Sequence, residues 1–378
     1  MSIDRDEAQK LWTPTCHGRW MSEECEPGLV SVIVPTYNRA HRLAETLDSI
    51  YAQTYRPIEA IVVDDGSTDD TAEVLAGWRS EHSGDPQFTL ADFRQENKGA
   101  PAARNRGAIE SHGEYIHFWD CEDIMHPEKI ARQAEAAARH RADLVVCDIE
   151  FFWNEPGDSG ENFDFAAQTG TATNNRGVVN ACICAGGWNT QAVLFRRSVL
   201  CLAGPWRESL RRHQDVEFNV RAAICADSVV GVREPLSFER IHGEPGCISA
   251  DTSQVAFQSM VDAYLTVRDH LRVTSHLNAT ARLFLFHRMI SIAELATRAG
   301  HRDVVLTGCR MAMEFAPPRR RLVLKLFLKI IEKLKGRIFF LVARPAFAAN
   351  TMANALRVKR TSKATDLDGR SETETESE

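Results

Sequence analysis

The chain is predicted to fold as an α/β protein, with a mostly parallel sheet flanked by helices and a helical region after it. Three observations predict this. In the first half, short apolar runs with strand character alternate with segments of helical period: Leu29 to Val34, then Leu43, Leu47 and Ile50, then Ile58 to Val63, then a helix over about 70–80. Successive strand–helix units pair their strands in parallel through right-handed crossovers. Polar clusters follow the strands, and in an open α/β sheet the carboxyl ends of the strands are where ligands bind. From Gln254 onward the strand signals stop and helical spacing takes over, as in Met260, Tyr264, Val267 and Leu271.

Bulk properties exclude several classes. A length of 378 residues suits one large or two medium domains. Hydrophobic content of 44% with 26% charged residues is that of an ordinary globular protein. A net charge of -7 gives no sign of nucleic-acid binding. No apolar run approaches the length that spans a bilayer, and Met1 to Lys10 lacks the apolar core of a secretory signal. The ten cysteines show no paired framework or zinc spacing and are expected to be reduced, which points to the cytoplasm.

Residues 1–28 form a leader without periodicity, expected to be an arm that packs on the domain or is partly disordered. After the strand Leu29 to Val34, Pro35 to Asn38 makes a turn, with Asn38 as the expected helix cap. The strand Ile58 to Val63 runs into Asp64-Asp65-Gly66-Ser67-Thr68-Asp69, where turn and capping chemistry explains Ser67 and Asp69 better than it explains two carboxylates ahead of the glycine. Tyr37 can stack on a base, and Asp65 can accept a hydrogen bond from a base or ribose. A short strand over Phe88 to Phe93 precedes Asn97 to Gly107, a glycine-started helix carrying Arg104 and Arg106, whose N-terminus is a natural anion neighbour. The run Glu114 to Asp123 is a buried strand that leads into three carboxylates, Asp120, Glu122 and Asp123. Groups so close do not all ionise comfortably without a cation or a donor-rich ligand. On these residues alone, a divalent ion carrying phosphates (Mg2+ or Mn2+) and a solvated polar loop explain the run equally well.

Taken in order, Ser31-Val-Ile-Val-Pro-Thr-Tyr-Asn-Arg39, Val62-Val-Asp-Asp-Gly-Ser-Thr-Asp69, Gly99 to Gly107, Gly113-Glu-Tyr-Ile with Asp120-Cys-Glu-Asp123, and Pro127-Glu-Lys-Ile130 resemble the nucleotide-sugar half of a family 2 glycosyltransferase of the GT-A (nucleotide-diphospho-sugar transferase-like) fold. The match covers 29–135 and extends to about 250. The resemblance implies that Pro35 and Tyr37 flank the base, that Asp65 holds the base edge, and that Arg104 lies near the nucleotide and Asp65. It also implies that Asp120 touches the ribose or sugar, that Glu122 is the principal metal ligand and that Asp123 supports them. The family usually has Asp where this chain has Glu122; the longer side chain still suits a hard cation.

An Ala-rich helix over 131–142 and a strand over Asp143 to Ile149 follow, then a loop-like insertion from Glu150 to Val179 with Phe151, Phe152 and Trp153 at its root. Trp188 to Arg197, Gly204-Pro-Trp206 and His213-Gln-Asp-Val-Glu-Phe-Asn-Val-Arg221 resemble the acceptor half of the same family. There a carboxylate at a helix start is the catalytic base, a position Asp215 holds; by itself an Asp there is equally an N-cap. The residue before it, often acidic in the family, is Gln214. The resemblance also makes His242 a candidate contact to metal or diphosphate.

The expected organisation is therefore an arm (1–28), a GT-A domain (29–250, divided into 29–135 and 136–250), a helical region (251–360) and an acidic disordered tail (361–378). In the helical region Arg321, Lys325, Lys329 and Lys333 fall four apart on an otherwise apolar helix. That pattern suits an interfacial helix making peripheral membrane contact through 319–347, or a helix docked on protein with its lysines snorkelling. The expected function is an inverting, Mn2+- or Mg2+-assisted transfer of a sugar, by default from a UDP-sugar, to a hydroxyl of a glycan or lipid-linked acceptor. Its expected place is the cytoplasm, at the inner face of the membrane. The rival reading, prompted by Glu122, is a non-catalytic nucleotide-sugar-binding protein with a degenerate acidic motif.

Overall fold

The computed structural model describes residues 20–82, 84–241 and 251–333. It divides into two compact units, one of residues to Asp251 together with Asp262–Phe284, the other of Thr252–Val261 together with the residues from Leu285 on.

The first unit is built on a ten-stranded mixed sheet in the order β3-β2-β1-β4-β9-β6-β10-β5, with β7 on β6 and β8 on β10. The strands are β1 (Glu26–Thr36), β2 (Ile58–Asp64), β3 (Phe88–Arg94), β4 (Gly113–Phe118), β5 (Ile124–Met125), β6 (Leu144–Phe152), β7 (Glu161–Phe163), β8 (Thr171–Ala172), β9 (Val193–Arg196) and β10 (Val229–Arg240). Strands β3, β2, β1 and β4 are mutually parallel, as are β6 and β10, and β9 runs antiparallel between the two groups. The expected mixed, mostly parallel sheet with flanking helices is what forms.

The helices of this unit are α1 (Ala40–Tyr51), α2 (Thr71–Glu81), α3 (Ala100–Glu110), α4 (Lys129–His140), α5 (Phe165–Thr169), α6 (Asn175–Cys184), α7 (Arg197–Ala203) and α8 (Gln214–Cys225). Alternation along the strands decides which face each helix covers. Val30, Val32 and Val34 of β1 and Ile58, Ala60 and Val62 of β2 pack with Leu43, Leu47 and Ile50 of α1 and Leu75 and Trp78 of α2. The alternate residues Ile61 and Val63 pack with Ala103 of α3 on the opposite face. Gly107 lets α3 lie tight on β1, because any Cβ there would overlap the Ile33 side chain.

Two local expectations are corrected. Asn38 is not the cap of α1: it takes a positive φ of 51°, and Arg39 stands at the cap position. The Asn38 side-chain oxygen Oδ1 accepts from Thr68 N–H instead, and Asp69 accepts from Ala40 N–H, so the tips of β1 and β2 cap one another. The stretch Glu150 to Val179 is not a loop, since it contains the end of β6 as well as β7, α5, β8 and the start of α6. Its Gly and Asn content marks caps and turns: Asn174 accepts from Gly177 N–H at the start of α6. At its root Phe152 is fully buried, whereas Trp153 is exposed.

Four further helices follow: α9 (Gln254–Val273), α10 (Ala279–Ala299), α11 (Arg302–Phe315) and α12 (Pro318–Ile331). Residues of α9 and α10 are shared between the units, and the second unit has its own apolar core from Met289, Ala293, Val305, Cys309, Phe315 and Ile331. Among the described residues no helix is long and apolar enough to cross a membrane.

Candidate active site

The carboxyl ends of β1, β2, β4 and β10 and the start of α8 carry the candidate chemistry. At the tip of β1, Pro35 is half-buried and Tyr37 is 45% exposed. Asp65, just beyond β2, is buried and already engaged. It accepts from Gln95 Nε2 at 2.8 Å, Lys98 N–H at 2.9 Å and Gly99 N–H at 2.7 Å. Its carboxylate therefore shapes the turn into α3, and Gly66, at φ +85°, sits too close to Asn97 N and Gln95 O to admit a side chain freely.

Beyond β4 the acidic run is held from several directions. Arg104 Nη2 donates to Asp120 at 2.6 Å, so the partner of Arg104 is Asp120 rather than Asp65. The Arg104 guanidinium lies 4.7 Å from the Trp206 ring centroid, and its Nε and Nη1 are buried without a hydrogen-bond partner. Glu122 accepts from Arg39 Nε at 3.1 Å. Asp123 is buried and accepts from Arg240 N–H at 2.9 Å.

Four side chains in this cluster lay outside the residues singled out from the sequence. Gln191 Nε2 donates to both Asp120 (3.0 Å) and Asp123 (2.6 Å), spanning the acidic run with one amide. Asn189 Nδ2 donates at 2.6 Å to Glu239, which extends from the end of β10. The fourth is Arg39. Arg39, Asn189 and Gln191 stand inside stretches that carried the family resemblance, but nothing in their spacing distinguished them.

The charges of these groups act on one another. Burial, then the charges of Asp120, Asp215 and Glu122, push Glu239 up to about 8. Burial also pushes Asp123 well above the carboxylate range, with Glu239 and Asp120 adding to it. Asp215 is raised by burial, against a hydrogen bond from Val216 N–H and the Arg104 guanidinium. Asp215 lies in the first turn of α8, but the cap position belongs to His213, at φ +56°. Capping therefore does not account for Asp215.

Behind Asp215, Glu217 is fully buried. It accepts from Arg221 Nε at 2.7 Å and Nη2 at 2.8 Å, from Arg207 Nε at 3.0 Å, and meets His270 Nε2 at 3.0 Å. Arg221 Nη1 and Nη2 donate onward to the carbonyls of Ala203 and Pro205. This buried ion network ties α8 to the loop after α7 and to α9.

Among the described residues no three His, Cys, Asp or Glu side chains converge as a metal-ligand set. His242 lies outside the described residues. The donor chemistry nevertheless fits a hard divalent ion. Glu122 and Asp120 offer partly exposed carboxylate oxygens in a cluster whose mutual repulsion raises Glu239, and such ions are commonly held by one or two carboxylates plus substrate phosphates.

Comparison with known proteins agrees with this geometry. EpsH of Bacillus subtilis (strain 168) is 32% identical over 225 residues, which is 57% of this chain and 62% of that protein. Glycosyltransferase GlyG of Streptococcus pneumoniae serotype 4 is 37% identical over 119 residues, 31% of this chain and 38% of GlyG. The chain thus spans less than two thirds of these relatives. The crystal structure of S. aureus TarS 1-349 in complex with UDP-GlcNAc superposes with a TM-score of 0.65 at 18% identity, covering 86% of this chain and 92% of that one, a likeness of fold. The family described as Glycosyl transferase family 2 matches residues 31–189, the stretch that supplies the tips of β1, β2 and β4 together with Asn189. Residues 31–189 thus match the family 2 glycosyltransferase model, and the fold is like that of TarS.

Proposed function

We propose that the protein is an inverting glycosyltransferase that moves a sugar from a nucleotide-diphosphate donor, a UDP-sugar by default, to a hydroxyl of a glycan or lipid-linked acceptor. The observation that carries this reading is that Asp215, from the second half of the domain, shares one electrostatic site with Asp120 and Arg104 at the tip of β4. A transferase of this kind needs a donor-binding strand tip and a base from another element at one place. The UDP-GlcNAc in the TarS complex supports the choice of donor class.

In this reading the exposed Tyr37 stacks on the base, and Asp65 holds the loop that shapes the nucleotide end of the site. The unpartnered N–H groups of Arg104 suit phosphate oxygens, and Asp120 accepts from ribose or sugar hydroxyls. Asp120 and Glu122 would hold the divalent ion, whose chemistry when bound is to neutralise charge on the leaving diphosphate. Asp215, its proton affinity raised by burial, takes the acceptor proton as the oxygen attacks the anomeric carbon from the opposite face. A single displacement inverts that carbon.

Asp215→Asn tests the assignment. Transfer should fall by about 10² or more, the usual worth of a positioned base, while UDP affinity measured by calorimetry with Mn2+ stays within about twofold. Retained turnover would remove Asp215 from the mechanism. UDP binding without transfer in the native protein, for any acceptor tried, would favour the non-catalytic reading.

A further inference from the structure

The outer face of α12 plays no part in the site above. Within its own unit the helix buries Leu324, Leu328 and Ile331. Its other side leaves Leu322, Val323, Leu326 and Ile330 exposed, at 62, 68, 56 and 55%. At about 100° per residue, positions 322, 326, 330 and 323 form one stripe roughly a quarter-turn wide, opposite the buried one. Arg321, Lys325 and Lys329 follow at four-residue spacing along its flank, all exposed. Scattered surface leucines need no explanation. Among the described residues, four of the twelve exposed large apolar side chains fall on this one helix of 14 residues, side by side.

Charge identifies the occupant. The helix carries Arg319, Arg320, Arg321, Lys325 and Lys329 and no acidic residue, in a chain whose net charge is -7. A second copy docked through this face would set two such basic stripes against each other at close range, where like charges repel. A surface that is apolar at depth and negative at its rim matches both stripes at once. An anionic bilayer is such a surface, and apolar side chains entering the acyl boundary beneath a row of lysines is how interfacial helices bind.

We propose that the outer face of α12 docks on an anionic lipid surface, with Leu322, Val323, Leu326 and Ile330 inserted at the headgroup–acyl boundary and Arg321, Lys325 and Lys329 among the headgroups. The docking uses none of the residues of the candidate active site and does not depend on how that site works.

The test is co-sedimentation of the full chain with vesicles of pure phosphatidylcholine and of phosphatidylcholine with 30% phosphatidylglycerol as the probe (about a third anionic lipid), at low and high salt. Binding is expected to the anionic vesicles alone and to weaken with salt. Lys325→Glu with Lys329→Glu should weaken it by more than about 25-fold, since each basic residue near such a surface is worth about fivefold. Leu322→Ser with Leu326→Ser and Ile330→Ser should abolish binding while far-ultraviolet dichroism and thermal unfolding stay as in the native chain. Equal binding to both vesicle types overturns the proposal, and so does binding that survives both sets of substitutions. A dimer seen by ultracentrifugation and lost in the triple-serine variant, with no lipid binding in the native chain, would assign the face to a second copy instead. UDP binding measured on the same variants should be unchanged, so failure here leaves the transferase reading standing.

Discussion

Replacing Glu217 by Gln probes the buried network that seats the helix of the proposed base. Burial alone would raise the Glu217 carboxyl, but the Arg221 guanidinium and the hydrogen bonds from His270 and Arg221 outweigh it and pull the group from 4.5 to about 2. A depression of that size corresponds to about 3 kcal/mol, at roughly 1.4 kcal/mol per unit. Because the folded value lies below the unfolded one, this stability is fully present above about pH 4.5 and is lost as the pH falls toward 2. His270, lowered by burial, adds in the same direction, since protonating it near its ordinary value of 6.5 costs the folded state. At pH 7 Glu217→Gln should therefore cost about 3–5 kcal/mol, the upper end reflecting a fully buried Arg221 left without its counter-charge. Urea unfolding followed by tryptophan fluorescence at pH 7, 4.5 and 3 measures it. The gap between native and variant protein should be nearly the same at pH 7 and 4.5 and clearly smaller at pH 3. A variant within about 1 kcal/mol of native at pH 7, or a gap unchanged at pH 3, would refute the reasoning, because either outcome would mean the ion network contributes no net charge stabilisation.

Gln191→Leu removes the amide that spans Asp120 and Asp123, and should weaken UDP binding by about tenfold, the worth of one hydrogen bond to a charged group, as read by calorimetry. Glu239→Gln removes a carboxyl whose folded value, about 8, lies above its unfolded one, so the native protein loses stability as the pH rises from about 4.5 through 8. Thermal unfolding should show the Gln variant more stable than native at pH 9 and the two equal at pH 4; the reverse order would mean Glu239 ionises freely.

How legible the site was in the sequence depends on the range of the interactions that build it. The strand tips could be read because strand period and acidic termination are local: β4 ends where the apolar run Tyr115 to Trp119 meets Asp120. Asp215 could be read only through resemblance, since its pattern is also that of a helix cap, and it took the backbone geometry at His213 to separate the two. Asn38 was misread because Asn before a helical period signals a cap, and here its side-chain oxygen is claimed by Thr68, 30 residues on. Gln191 and Asn189 were invisible for a plainer reason. A neutral amide carries no periodicity or charge, and the partners of Gln191 lie 68 and 71 residues away. The elements inside 150–179 were missed because strands of two or three residues and a five-residue helix are too short to show a period.

The pairing of charges at the site bears on what can enter it. Three guanidiniums touch the acidic run, and each is already matched to a carboxylate: Arg39 to Glu122, Arg104 to Asp120, and Arg240, which donates to the Glu122 backbone carbonyl, to Glu45. Asp123, Asp215 and Glu239 have no such counter-charge and are all raised. A diphosphate arriving alone would add negative charge to a cluster that already holds a proton at Glu239 near neutral pH. The site therefore favours ligands that arrive with positive charge, or that let the carboxylates take up protons, and it discriminates against a bare anion. The amides of Gln191 and Asn189 fit this balance: they fix the positions of Asp120, Asp123 and Glu239 without cancelling their charge, as lysines in the same places would have done. The cluster keeps its negative field and its geometry together, as the cation-assisted transfer proposed above requires.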